Sequence, residues 1–529
     1  WPVRLRSVYN LISNALKEIF MKRYIMYTCL LTVLFMGCSK DFLDKKNPNA
    51  VAVDDFWKTE ADVLSALGST YNLLRNVNTG YWGVRGVELS NGRGDDFFIR
   101  NDVKDLYSLS TFTNNPDNGV LNGLWEGAYQ AIFRANQILE RTDGVGAITD
   151  ENKKQYKAEA RFLRALNYFI LVTNFGDVPI RLTIPAGTEE YPIAKSPEAD
   201  VWKQIEEDLT AAVADLPVAW PSEWTGRATK GAAIGYLGKT YLYQKQWAKA
   251  EAAFKQLLTA PYTYNLTANY EDNFLATREN NEESVFEIQI QDVGGANPWA
   301  TSGPAESIGV TTAQEFAPSL VSGWFEAYPT NKVLNEFKKE KTTTGDFDPR
   351  MYTTLVWQGQ EGLFYKQAIS KFFPTEYSFT SRFKKYQNWQ NENELRGTGG
   401  GNYTSNINER ALRFADILLM YAEALTMQAR PAEAYAPVNR IRSRAKLAVL
   451  PAGYTQDQMM AEIRHQRMIE FCREGLRFYD LKRWGLLQQE LTNSDKVGKN
   501  FYVVKKHDYY PIPQQEIDAN GKMEQNPLW

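Results

Sequence analysis

The chain has 529 residues, with 60 Lys and Arg against 63 Asp and Glu and a formal net charge of −3. That balance excludes the basic surface of a nucleic-acid binder. Two His in the whole chain exclude a His-rich zinc site or an HExxH helix, and neither a GxSxG elbow nor a P-loop occurs. Hydrophobic content of 43% at this length suffices for a large core. With 14 Trp and 29 Tyr, the chain has aromatics enough to place several on its surface, where ring faces stack on apolar ligand faces.

Residues 1–20, Trp1 to Phe20, precede the first methionine and read as a weakly amphipathic upstream extension outside the fold. From Met21, the basic pair Lys22-Arg23, the nearly uncharged run Tyr24 to Met36 and the pair Gly37-Cys38 have the layout of a secretory signal. The apolar run falls short of the roughly 20 residues of a membrane-spanning helix. The expectation is a signal over 21–37, a lipid-accepting Cys38 and a tether over 38–50, with acyl chains supplying the anchor. Such signals usually place Leu three residues before the cysteine and a small residue two before. Phe35 and Met36 stand there instead, with Leu34 one step early. Cys29 then leaves with the signal and Cys38 takes the lipid. Cys472 remains alone, without a disulfide partner, and reads as a small hydrophobe on an apolar-faced helix.

Residues 51–529 form one predicted body. Helical spacing covers Asp55 to Leu74, Leu121 to Leu139 and Glu151 to Thr173, the last broken by Phe175-Gly176-Asp177-Val178-Pro179. Ser196-Pro197-Glu198 carries the signs of a capped helix start. Leu237, Gly238, Tyr241, Ala250 and Phe254 follow the small-and-large pattern of a tetratricopeptide helix pair, with Gly238 and Ala250 as points of close approach. A weaker copy stands at Ala422, Leu425, Ala434 and Val438. The two copies lie far apart, so the helical scaffold is interrupted. It divides into a helical part over 51–261, a long loop-rich insertion over 262–408 and a helical part with a tail over 409–529. The insertion holds Gly-rich stretches and one strand-like run from Ser284 to Ile290. Loop-rich segments of this length are usually functional. The predicted fold class is mainly α, with tetratricopeptide-like helix pairs and minor β content.

Several blocks, in this order, resemble the SusD-like (RagB/SusD) family of nutrient-uptake outer-membrane lipoproteins. They are Asp41-Phe42-Leu43-Asp44, the run Glu159 to Ala165 with Phe175 to Pro179, Gly226 to Ala233, Asp348-Pro349-Arg350, Arg413 to Ala424, Asn439 to Arg442, Glu474 to Arg477 with Asp480 to Gly485, and Pro511-Ile512-Pro513. The resemblance spans essentially everything after Met21. It implies a helical scaffold with a loop-built ligand face. It also implies a lipid anchor in the outer membrane, facing out, and a partner in a SusC-like TonB-dependent transporter. The ligand it implies is a glycan, with an oligopeptide as the alternative, and it implies no catalysis. A surface glycoside hydrolase is the rival from another class and would need two carboxylates flanking one bond.

The carboxylates and arginines of Arg413, Asp416 and Glu423, and of the ladder from Arg467 through Glu470, Arg473, Glu474 and Arg477 to Asp480, read as structural ion pairs. Sugar binding calls instead for loop-borne rings and hydroxyl partners. One candidate cluster runs from Asn78 to Arg100 and offers Tyr81, Trp82, Arg85, Asn91, Arg93, Asp95, Asp96 and Arg100, among glycines that permit close approach. The other lies in the insertion, at Trp299, Trp324 and Tyr328, with Asn297, Trp357 and Trp389 as further members. Trp57, Trp125, Trp202, Trp247 and Trp484 fall in helical patterns and read as core. No cofactor is expected. Asp95-Asp96 offers the oxygen ligands a structural calcium would take, without EF-hand spacing.

Overall fold

A computed structural model describes residues 10, 12–26, 56–76, 79–291, 310–374, 380–387, 389–390 and 405–529. Cys38, Asn297 and Trp299 lie outside these residues. The chain divides into two compact units, Trp1–Lys58 and Thr59–Trp529. In the first, residues 12–26 are helical and carry exposed apolar side chains, among them Phe20 and Ile25. No described helix is long and apolar enough to cross a membrane. Trp57 is half-buried against Phe56 and not fully enclosed as expected.

The second unit is mainly helical. Helix α1 (Glu60–Leu73) starts at a capping box in which Thr59 and Asp62 satisfy each other's backbone N–H. Short α2 (Gly86–Asn91), strand β1 (Phe97–Ile99) and α3 (Lys104–Ser110) lead into α4 (Gly119–Arg141) and α5 (Asp150–Phe175). The C-terminal part of α5, from Phe162 onward, is apolar almost all round and wholly buried, as the centre of a core must be. It packs on α4 and on α6 (Glu198–Asp215). Ser196 does not cap α6. Its backbone pairs with Val178, and the Glu198 N–H donates to the Asp177 carboxylate at 2.8 Å. The FGDVP block thus closes two helices at once.

Helices α7 (Lys230–Tyr243) and α8 (Trp247–Gln256) form the first repeat pair. A Cβ on Gly238 would sit 2.5 Å from the Phe254 ring. Glycine here is a packing requirement, because the two helices meet across that point. Strand β2 (Ser284–Ile288) follows, then α9 (Thr312–Phe316), β3 (Ala327–Pro329), α10 (Asn331–Phe337), α11 (Pro349–Thr354), β4 (Leu355–Trp357), β5 (Leu363–Phe364), β6 (Gln367–Ala368), β7 (Ser381–Phe383) and β8 (Glu409–Arg413). All sheets among the described residues are two-stranded: β1 with β3, β2 with β8, β4 with β7 and β5 with β6. The second repeat pair is α12 (Phe414–Met427) and α13 (Pro431–Arg444). Then come α14 (Gln456–Glu470), α15 (Arg477–Trp484), α16 (Leu487–Thr492) and α17 (Gln514–Ala519).

The interruption expected between the repeat pairs is one of sequence only. In space α8 packs directly on α12, and Arg430 and Gln428 reach back to Glu251 at 2.6 and 2.8 Å. The stack therefore runs on from α4 through α8 to α12 and α14. The chain between is looped out, and β2 pairs antiparallel with β8 at its neck, Glu287 opposite Arg410 and Ile288 opposite Glu409.

The charged blocks lie inside this neck. Arg413 is 1% exposed. It donates to both oxygens of Glu474 at 2.8 Å, to Glu470 at 3.0 Å, and to Glu283. Arg444 bonds Glu283 and Glu470, and Arg350 reaches Glu470 at 3.1 Å. Burial opposes the charge on Glu470, but three guanidiniums hold its carboxyl well below the usual range. Asp416 joins Lys239 and Arg467, and Glu423 joins Arg483 and Trp484. These pairs link separate elements more than successive turns of one helix. Cys472 is buried as expected, but in the turn after α14, not on the helix. Trp125 and Trp202 are core, whereas Trp247 and Trp484 are half-buried.

Candidate functional site

The β1–β3 pairing brings the two candidate clusters together. Phe98 lies opposite Tyr328 and Ile99 opposite Ala327, and the Arg100 N–H donates to the Glu326 carbonyl at 2.8 Å. Strand alternation turns Phe97 and Ile99 into the core and leaves Phe98 and Arg100 partly in solvent. The rings form a column. Phe98 lies 5.0 Å from Tyr328, Tyr328 lies 5.5 Å from Phe325, and Phe325 carries the Arg382 guanidinium 4.1 Å from its centroid. Phe325 and Arg382 are buried, so the inner end of the column fixes the outer rings.

Arg100 grips Asp102 through two bonds of 2.6 and 2.7 Å, and its Nη1 donates to the Trp324 carbonyl at 2.6 Å. Trp324 is half-buried beside them. Arg85, in a left-handed backbone conformation, forks onto Glu326 at 2.9 and 2.6 Å. Its N–H donates to Glu315 at 2.9 Å. Behind this layer Glu88 and Glu315 are sealed from water. Burial, then its acidic neighbours, push the Glu88 carboxyl far up, and the same causes raise Glu315. The result is a shelf of three half-exposed rings, Phe98, Trp324 and Tyr328, beside an exposed Arg–Asp pair. Such a surface has the chemistry to cover an apolar face and bond a polar rim.

The other expected site residues lie elsewhere. Asn91 is buried, bonding the Val87 carbonyl and accepting from the Gly475 N–H at 2.9 Å. Asp95 is buried between Arg477, through bonds of 2.7 and 2.9 Å, and Lys332. Burial opposes its charge, and these cations still hold its carboxyl down at about 2. Asp96 is buried too, and burial followed by Asp95 pushes it up to about 7. The carboxylates proposed for ligand or calcium are therefore interior struts, because the loop that carries them is folded under the surface. A Cβ on Gly83 in that loop would fall 2.1 Å from the Asn76 carbonyl oxygen. The Tyr81 hydroxyl bonds that of Tyr479 at 3.1 Å, and Trp82 packs edge-on against Tyr81. Together they line a crevice of about 50 Å3, room for a water or two and not for a sugar ring. Trp357 is buried, and Trp389 is half-buried beneath Lys384. Sequence reasoning missed Phe98 and the Phe325–Arg382 base. The alternation Phe97-Phe98-Ile99-Arg100 was the available signal.

The SusD family model matches residues 282–529, and a second model, described as starch-binding associating with outer membrane, matches 41–242. A SusD-superfamily crystal structure from Bacteroides vulgatus is 36% identical, covers 90% of this chain and 100% of its own, and superposes with a TM-score of 0.81. The chain belongs to the SusD family. SusD-like protein P2 of Formosa agariphila is 28% identical over 96% of this chain and 99% of its own. A laminarin-binding SusD-like structure is 26% identical, with 89% and 100% covered and a TM-score of 0.75. The mainly helical scaffold read from the repeat pairs is the fold observed, and it matches the SusD-like fold that the resemblance implies.

Proposed function

We propose that this protein captures glycans on the β1–β3 shelf, at the outer membrane, and passes them to a SusC-like TonB-dependent transporter. In this reading Cys38 carries the lipid anchor and the shelf faces out of the cell. The shelf carries the reading. Its rings suit the C–H face of a pyranose, and the neighbouring Arg100–Asp102 pair suits its hydroxyls. The column beneath holds the rings in place before a ligand arrives, which lowers the ordering cost of binding. The family's starch-binding description and the laminarin-binding neighbour support a glycan as the ligand class. Binding needs no bond cleavage. Glu88 and Glu315, carboxylates with raised pKa behind the Arg85 layer, are shut away from any substrate on the shelf.

Calorimetry with laminarihexaose and maltohexaose tests the shelf. Trp324→Ala with Tyr328→Ala should weaken binding at least about tenfold, roughly 1.4 kcal/mol, at an unchanged melting temperature. Equal affinity in variant and wild type would remove the shelf from the site. Fractionation of cells expressing Cys38→Ser should move the protein out of the membrane pellet.

A further inference from the structure

A second pocket, of about 300 Å3, lies between the turn Ser222–Trp224, the start of α7 and the edge of β2 not paired with β8. We propose that it is a second saccharide site, taking one neutral sugar ring against Trp224. The proposal rests on the glycan-binding reading but not on the shelf, with which it shares no lining residue.

One wall is built from Trp220 and Trp224. Both come from a loop, and Trp224 keeps 40% of its surface exposed. The Arg227 guanidinium sits 3.9 Å from the centroid of Trp220 and 4.9 Å from that of Trp224. Arg227 is itself held from behind. Its Nε bonds Glu159 at 3.0 and 3.1 Å, and its Nη2 bonds the same carboxylate. Glu159 is fully buried and also accepts from the Tyr71 hydroxyl at 2.8 Å. Trp220 donates its indole N–H to the Ala228 carbonyl at 2.8 Å. Two buried anchors thus fix the wall before any ligand arrives. The facing wall holds Tyr262 and Tyr264, their rings 7° from parallel with centroids 5.9 Å apart. Tyr264 rests in turn on Phe414, 6.1 Å away. Exposed Thr225, Thr263 and Asn280 line the mouth.

These walls select a ligand class. An acyl chain or an aliphatic side chain would be met by Leu, Ile or Met. That chemistry is stronger in another pocket, of about 310 Å3, where Ile132 and Met523 stand among the rings, whereas here the aliphatic lining is limited to Val218, Ala219, Pro261 and Val285. Flat indoles and phenols with a hydroxyl and amide rim match a pyranose, apolar on one face and polar at its edge. The charge argues for a neutral ring, because Glu159 balances Arg227, and Glu287, at the same pocket, is paired with Arg410 at 3.2 Å. An anionic sugar would find no unbalanced cation. Two such sites on one chain would let a polysaccharide engage at two points, so that the second contact is intramolecular.

The test is fluorine NMR on protein labelled with 5-fluorotryptophan, with Trp224→Phe and Trp324→Phe identifying the two lines. Laminarihexaose, maltohexaose and cellohexaose are the probes. The expected result is a saturable shift of the Trp224 line that persists when the shelf carries Trp324→Ala and Tyr328→Ala. Trp224→Ala should also weaken binding of polymeric laminarin or amylose about tenfold, at an unchanged melting temperature. A shift confined to the Trp324 line, or a Trp224 shift that vanishes in the shelf variant, overturns the second site and leaves the shelf standing. If neither line moves with any probe, the second site falls together with the glycan reading.

Discussion

The repeat scaffold and the looped-out insertion both bury ion pairs, Asp416 with Lys239 and Arg467 in the one and the Arg413 cluster at the neck of the other, but the insertion depends on them more. In the scaffold, helices nest through small residues at contact points such as Gly238 and Ala250, and regular backbone hydrogen bonding satisfies the polar groups. The insertion has short ribbons and turns, so its carbonyls and N–H groups lack long ladders. Its neck is held instead by Arg350, Arg413, Arg444 and the carboxylates they share. Irregular backbone needs directional side-chain bonds to fix one arrangement. The fixed frame holds Phe98, Trp324 and Tyr328 half-exposed at the surface.

The sharpest way to break this comparison is Arg413→Ala. It leaves buried Glu283, Glu470 and Glu474 one cation short, with Arg444, Arg350 and Lys385 still in place, and a loss of about 3–5 kcal/mol is expected in denaturant unfolding. A loss below about 1 kcal/mol would show that the network only decorates the neck.

Next in size is Asp96→Asn. The folded carboxyl titrates near 7, above the usual carboxylate range of the unfolded chain. As pH rises through that window the unfolded state loses its proton first, and wild-type stability falls until pH passes about 7. The variant escapes this loss, so between pH 5 and 8 it should gain on wild type by on the order of 2 kcal/mol. Parallel pH profiles would contradict the assignment.

On the scaffold side the effects are smaller and of opposite sign at two glycines. Gly238→Ala forces a Cβ against Phe254 and should cost about 1 kcal/mol net of its gain in helix propensity. Gly68→Ala, in α1 with nothing within 4 Å of the new carbon, should stabilise by roughly 0.5–1 kcal/mol. If both shift the melting temperature the same way, close approach is not what selects glycine at position 238.

The contrast also explains what could be read from the sequence. Helical period is a local signal, so α4, α5, α7, α8, α12 and α13 were legible within a few residues. The function of the charged blocks was legible too, because Arg and Glu crowded among apolar residues must pair. The adjacency of α8 and α12 was not, since nothing local says that the intervening chain leaves the stack. The candidate site was legible only in its parts. Arg85, Arg100, Trp324 and Tyr328 meet as a group, but the pairing of β1 with β3 that unites them is a contact between distant segments. Asn91, Asp95 and Asp96 misled because a polar Gly-rich stretch reads as surface. Here it is buried, and cations from Lys332 and Arg477 make that burial tolerable.

The β2–β8 neck has a consequence for how such proteins diversify. The Ile290 N–H bonds the Asn408 side chain at 2.7 Å, and Asn408 reaches back to Glu287 at 3.0 Å, so the two ends of the excursion are stitched together at its root. Closing a loop whose ends are already pinned costs only about 0.6 kcal/mol more for each doubling of its length. Length changes beyond the stitch therefore cost little wherever they leave Lys332, Arg350 and β3 docked on the frame. The segments between those docking points are where relatives could vary a ligand face while the host frame keeps its shape.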